Sequence, residues 1–215
     1  MEKIQNKVFA SDKEGTLFVA NQIKNLIEEK ASKGEHAILG LATGASPISL
    51  YKELVKMHKQ GLSFSNVVTF NLDEYYPMDP KAIQSYHRFM EEHLFDKVDV
   101  LKENINIPKG TLTMDEIPLY CKEYEDKIDK LGGIDIQILG IGRTGHIGFN
   151  EPGSTFRSFT RLVTLDKKTR RDASKDFKSI ERVPRKALTM GVGTCLLYTS
   201  PSPRDRTRSR MPSSA

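Results

Sequence analysis

Three short apolar runs, AILGLA (37–42), VVTFNL (67–72) and IDIQILGI (134–141), leave this chain few ways to fold. None has the length of an ordinary buried helix, and each is apolar at successive positions. That is the pattern of a strand covered on both faces in a parallel sheet. The stretches between them have helical period. Ser11 with Glu14 makes a capping box, and Val19, Ile23, Leu26 and Ile27 then share one face until Gly34 stops the run. Pro47 opens a second helix with Leu50, Leu54 and Met57 in one stripe. A third begins near Ser85 and turns Tyr86, Phe89, Met90 and Leu94 inward, and a fourth spans 115–131. Strands alternating with helices in this way predict an α/β fold, a doubly wound and mainly parallel sheet flanked by helices. No repeat and no internal boundary interrupts it before Thr194.

In such sheets ligands sit at the carboxyl ends of the strands. That rule selects LATGASP after the first strand, NLDEYYP after the second and GIGRTGHIGFNEP after the third, and predicts that they meet in one crevice. The third segment opens with GxGxxG, Gly140 to Gly145, the spacing of a dinucleotide loop. Such a loop needs a helix at its third glycine, so that N–H groups face the pyrophosphate. Here Gly148, Pro152 and Gly153 oppose a helix, and no acidic residue is placed for a ribose. The glycines read better as a tight turn that brings backbone close to a small ligand.

Behind that turn stand His146 and Glu151, an imidazole suited to shuttling a proton and a carboxylate that could orient it and stabilise its charge. The plainer alternative is a loop histidine bonded to a local carbonyl, the reading that His36, His58, His87 and His93 receive. Asp73, beside Glu74 just past the second strand, is either a general base pointing into the crevice or part of a solvated turn. Thr43, Gly44, Ala45 and Ser46 precede the helix at Pro47, where backbone N–H groups and hydroxyls form an anion cradle. A simple helix cap by Ser46 is compatible with that role. The combination predicts proton transfers on a small phosphorylated substrate with no cofactor. No metal is expected either, since no His/Cys/Asp grouping has ligand spacing.

Composition narrows the setting. With 38% hydrophobic and 28% charged residues over 215 positions, the chain can bury the core of one soluble domain. Cys121 and Cys195 offer no disulfide framework, and MEKIQNKVFASDKEG lacks the apolar core of a signal peptide. No apolar run approaches membrane-spanning length. A cytoplasmic protein with no membrane partner is expected. The net charge of +5 is concentrated in the last twenty residues, where Arg204, Arg206, Arg208 and Arg210 against one aspartate give +3 and leave +2 for the rest. Those arginines lack interleaved aromatics and a folded platform, so no nucleic-acid partner is expected. After Leu197 the chain turns to Ser, Pro and Arg, a disordered composition. LLYTSPSPRD reads as translated adaptor sequence, joined where the native frame was lost. The expected organisation is a truncated domain over 1–194 followed by a disordered, non-native tail over 195–215.

The segments LATGASPISLYKEL, VVTFNLDEYYP, ENIN, LGIGRTGHIGFNEPGS, TRL at 160–162 and VPRKALTMGVGT at 183–194 occur in that order. So arranged, the chain resembles the glucosamine-6-phosphate deaminases, from the broader group sharing a fold with ribose-5-phosphate isomerase and 6-phosphogluconolactonase. The likeness runs from the first helix to Thr194, and FNLDEY with GHIGFNEP is specific to the deaminases. It implies a hydrolase of amino-sugar catabolism that converts glucosamine 6-phosphate and water to fructose 6-phosphate and ammonia by aldose–ketose isomerisation. His146, assisted by Glu151, would open the pyranose ring, and Asp73 would carry a proton between C2 and C1. Thr43, Gly44, Ala45 and Ser46 would hold the 6-phosphate, with Gly140 and Gly142 lining the sugar. Ser154 and Arg161 fall where allosteric members bind an N-acetylglucosamine 6-phosphate effector, and a homo-oligomer is compatible with the family.

Three departures stand out. Thr144 occupies the place of an aspartate that completes an Asp–His–Glu triad, and a threonine cannot offset imidazolium charge. Lys175 stands where a phosphate-binding arginine is usual, which keeps the charge and loses the bidentate fork. The family also continues past Thr194 with further strands and helices, including a lysine for the phosphate, so this sheet should expose an edge. The alternatives are another sugar-phosphate enzyme of the fold, lactonase-like or an aldose–ketose isomerase, and a non-catalytic sugar-phosphate sensor. Asp73, which a sensor should lose, counts against the last.

Overall fold

The computed structural model describes residues 6–197. Helix α1 (Asp12–Ser32) starts as its capping residues dictate: Ser11 stays extended and its Oγ accepts from the Glu14 N–H at 3.3 Å. The Glu14 carboxylate reaches back to the Ala10 N–H at 3.1 Å. Ala20, Ile23 and Ile27 bury its inner face, each isoleucine contributing about 1.5–3 kcal/mol. Gly34, at φ 70°, then turns the chain into β1 (Ala37–Leu41). Helix α2 (Ile48–Lys59) and β2 (Val67–Asn71) follow, and the two strands run parallel in register from Ala37 opposite Val67 to Leu41 opposite Asn71. Next come β3 (Asp73–Tyr76), α3 (Tyr86–His93), β4 (Ile105–Asn106), α4 (Ile117–Lys130), β5 (Ile136–Gln137), β6 (Arg161–Thr164), α5 (Lys167–Phe177), β7 (Lys186–Thr189) and α6 (Val192–Leu197).

The main sheet has the order β4-β2-β1-β5, all parallel. Alternation within β1 explains why it is apolar throughout. Ala37, Leu39 and Leu41 pack in one cluster with Ile23 and Ile27 of α1 and Leu50 and Leu54 of α2. Ile38 faces the other way, sharing a cluster with Val68 and Phe70 of β2, Tyr124 and Ile128 of α4 and Cys195 of α6. One layer of strands between two layers of helices is the doubly wound architecture the alternating runs predict.

Three features differ from expectation. The third strand is shorter than 134–141: only Ile136 and Gln137 pair with β1. At its start the Asp135 carboxylate takes the Ile38 N–H at 2.9 Å, and the Gln137 side chain lies across Gly40, where a Cβ would come within 2.1 Å of its Oε1. Side chains thus take up part of the ladder, and β5 forms one edge of the sheet. Second, NLDEYYP is not a turn: Asp73 to Tyr76 form β3 of a second sheet, order β3-β7-β6, antiparallel throughout. Third, α6 runs on past Thr194, with Cys195 fully buried; the stretch beyond 197 lies outside the described residues.

Candidate active site

The loops after β1, β2 and β5 lie at the carboxyl ends of the parallel strands. The Leu72 N–H bonds the Leu41 carbonyl at 3.1 Å, and the Leu72 carbonyl takes the Met190 N–H at 2.7 Å. This splice carries the chain from the parallel sheet directly into the antiparallel one, and Asp73 is the first residue across. In register it faces Thr189 of β7, which in turn faces Arg161 of β6.

Asp73 is 7% exposed, which removes the solvated-turn alternative. Among the described residues no hydrogen bond reaches its carboxyl. Burial, followed by the neighbouring Glu74 charge, pushes the group up to about 8. The third loop comes close to it: Gly148, at φ 55°, has no room for a side chain, since a Cβ would sit 3.0 Å from Thr189 Oγ1 and 3.4 Å from Asp73 Oδ2. The Phe149 N–H bonds Thr189 Oγ1 at 3.1 Å, and the Asn150 amide bonds the carbonyls of Ile147 and Met190 at 2.9 and 2.8 Å. The loop is therefore pinned to the small sheet beside Asp73.

The same loop answers what GxGxxG does here. No helix follows it; the chain instead makes a tight turn, with the Gly145 N–H on the Gly142 carbonyl at 2.9 Å and Gly145 at φ 78°. The Gly142 N–H bonds the His146 carbonyl at 2.8 Å, and the imidazole lies directly over the Gly142 α-carbon, where a Cβ would be 2.2 Å from Cε1 and Nε2. The glycines seat the His146 ring rather than a pyrophosphate. Gly140 is exposed with open space around it, so no steric demand explains that glycine.

His146 and Glu151 are not brought together as a hydrogen-bonded pair. The His146 Nδ1 shares a 2.6 Å hydrogen bond with Thr144 Oγ1. Glu151 turns instead to the start of α5, its Oε1 accepting from the Thr169 hydroxyl at 2.5 Å and the Asp166 N–H at 3.2 Å. A five-residue spacing on a folded-back loop says nothing about which way the carboxylate points. Arg143, the residue before Thr144, pairs with Asp172 of α5 at 3.2 Å, so the loop is tied to that helix at both ends.

Thr43, Gly44, Ala45 and Ser46 form an open loop before α2, with Gly44 at φ 99° and the last three residues exposed. Pro47, not Ser46, is the N-cap, and no side chain caps the helix. Among the described residues no acceptor takes the N–H groups of Gly44, Ala45 or Ser46. Lys175 is exposed on α5, and no hydrogen bond or ion pair joins it to that loop among the described residues. Ser154 and Arg161 do meet: an Arg161 Nη2 donates to Ser154 Oγ at 3.2 Å. Beside them a cavity of about 660 Å³ is lined by Arg161, Phe159, Leu162, Ile117, Cys121 and Glu125.

Four residues of this neighbourhood escape sequence reasoning: Glu74, Tyr86, Gly148 and Thr189. Tyr86 reads as an inward core residue, yet its phenol interacts with the Thr43 side chain and with Tyr75. Thr189 carries no motif signal beyond lying in the ALTMG stretch. Gly148 could have been found from its own conformational freedom two residues after His146. Among the described residues, no cluster of three or more His, Cys, Asp or Glu could hold a metal ion, and no helix is long and apolar enough to cross a membrane.

With this geometry in place, comparison with known proteins is informative. The profile of the family described as glucosamine-6-phosphate isomerases/6-phosphogluconolactonase matches residues 11–170. The glucosamine-6-phosphate deaminase of Thermoanaerobacter sp. (strain X514) is 48% identical over 178 residues, which are 82% of this chain and 68% of that protein. A glucosamine-6-phosphate deaminase-like protein of Bacteroides thetaiotaomicron is 48% identical over 197 residues, 91% of this chain. The chain spans only 30% of that longer relative. A solved structure of a monomeric glucosamine-6-phosphate deaminase superposes with a TM-score of 0.81 at 43% identity, over 86% of this chain and 75% of that one.

Proposed function

Because the chain belongs to the family of glucosamine-6-phosphate isomerases and 6-phosphogluconolactonases, we propose that it deaminates glucosamine 6-phosphate to fructose 6-phosphate and ammonia. The observation that carries this reading is Asp73: a buried carboxyl that accepts no hydrogen bond among the described residues, pushed up to about 8, beside Gly148 of the loop that carries His146. A carboxyl so placed exchanges a proton easily near neutral pH.

The steps follow from the groups present. The exposed N–H groups of Gly44, Ala45 and Ser46, at the start of a helix that no side chain caps, suit the 6-phosphate. His146 moves the proton of the anomeric hydroxyl to the ring oxygen, the C1–O5 bond breaks and C1 becomes an aldehyde. Thr144 holds the imidazole through Nδ1 and leaves Nε2 for this exchange. Asp73, ionised, then removes the hydrogen on C2. The electron pair forms the C1–C2 double bond of an enolamine while O1 takes a proton. Asp73 returns its proton to C1 as the nitrogen lone pair forms the C2=N bond, which leaves an iminium at C2 and O1 as the C1 hydroxyl. Water adds to that carbon, ammonia departs, and the ketone remains. Net, one water is consumed and one ammonia released; the hydrolytic classification rests on that final step. We assign Arg161 and Ser154 to an N-acetylglucosamine 6-phosphate effector, supported by their mutual hydrogen bond beside an open cavity.

Asp73→Asn tests the reading. Ammonia release should fall by about 100- to 10,000-fold while the affinity for glucosamine 6-phosphate, measured by calorimetry, changes little. Undiminished turnover would show that another group moves the proton.

A further inference from the structure

Glu74 has no part in those steps, yet its carboxylate is 0% exposed. Its Oε2 accepts from the Ser85 hydroxyl at 2.8 Å, the Tyr86 N–H at 2.9 Å and the His87 N–H at 3.2 Å, and its Oε1 accepts from the Tyr75 N–H at 2.9 Å. A buried carboxylate is tolerated only when its lone pairs are filled in this way. Capping α3 does not require it, because Ser85 Oγ already accepts from the His87 N–H at 3.1 Å. What the clamp adds is a rigid join between two pieces of the crevice. Asp73 precedes Glu74 on β3, and Tyr86, whose N–H Glu74 holds, reaches Thr43 of the anion loop and stacks on Phe149 at 6.2 Å.

We propose that Glu74 is a positioning residue for the C2–C1 proton transfer: from behind the crevice it fixes Asp73 and Tyr86 relative to one another and keeps a negative charge beside the Asp73 carboxyl. This rests on Asp73 being the proton carrier. Other groups couple to Asp73 from the surrounding elements. They are Tyr75 on β3, Tyr86 on α3, Tyr124 on α4 and Cys195 on α6. Burial pushes all four up, Tyr75 and Cys195 to about 12, so they stay neutral where Asp73 titrates. Thr189 and Gly148 complete its surroundings without charge. Burial raises Glu74 too, but its four hydrogen bonds oppose that rise, which makes it the neighbour left to carry one.

The test is an NMR titration of the Asp73 carboxyl carbon in the full 215-residue chain, assigned by its loss in Asp73→Asn. Glu74→Gln should lower the Asp73 midpoint by about one pH unit and move the acid limb of kcat/KM down with it. A folded Glu74→Gln protein with an unmoved midpoint overturns the proposal. Should that variant not fold, the wild-type titration decides. The Asp73 signal should then show a second, smaller inflection where Glu74 itself titrates, and its absence overturns the proposal equally. Full activity in Asp73→Asn would instead sink the catalytic reading on which this one stands.

Discussion

Asp73 and Glu74 are adjacent and both buried, but a strand sends successive side chains to opposite faces. Among the described residues one meets four donors and the other meets none, and the difference should appear in stability. With a folded value raised from 3.8 to about 8, Asp73 keeps its proton across a window in which the unfolded chain has lost it. The folded state therefore binds more protons there, so its stability falls as pH rises from about 4 and levels off above about 8. Asp73→Asn, which cannot ionise, should melt above the wild type, and the gap should widen by about 5 °C or more between pH 5 and pH 8. A gap independent of pH would mean that Asp73 is already ionised in the folded protein at pH 5. Sequence could place Asp73 because strand ends are where ligands bind. It could not place Glu74, whose environment is made by Ser85 and Tyr86 eleven and twelve residues on. Nor could it tell that Glu151 would turn to Thr169 rather than to His146.

Among the elements, the loop after β5 does the most with the least regular structure. Contacts require Gly142 and Gly148 within it, and comparing Gly142 with Gly191, which lies between β7 and α6, separates catalysis from folding. At Gly142 a Cβ meets the His146 ring, the movable end of a side chain. Gly142→Ala should fold with a melting temperature close to wild type and lose about tenfold or more in turnover, as the imidazole is displaced. At Gly191 a Cβ would meet the Ser158 backbone, 2.0 Å from its carbonyl oxygen, and no side chain can yield. Gly191→Ala should lower stability by about 2 kcal/mol or more, read from a denaturant midpoint. If the two variants behave alike, the imidazole is not seated by Gly142. The helices α1, α2 and α4 were readable because each has one apolar stripe. Helix α5 was not, because KKTRRDASKDF buries only Phe177 and is held at its start by Asp166 and Glu151.

Over the whole molecule, the three-layer parallel core follows from runs that must be apolar on both faces. The small antiparallel sheet does not, since its strands are four residues long and their polar positions, Asp73, Glu74, Arg161 and Thr189, interrupt any simple alternation. That sheet nevertheless sets the distances that matter, placing Asp73, Thr189 and Arg161 across three strands in one row. The proposed catalytic carboxyl and the proposed effector residue are thus separated by one strand, about 10 Å. All of this gives function to one act, the carriage of hydrogen from C2 to C1 of a bound amino-sugar phosphate by a protein carboxyl. Turnover of glucosamine 6-phosphate in deuterium oxide reports on it. Ammonia and fructose 6-phosphate should form in equal amounts, with deuterium at C1 in at least part of the product. Ammonia released without an equal amount of fructose 6-phosphate would contradict it.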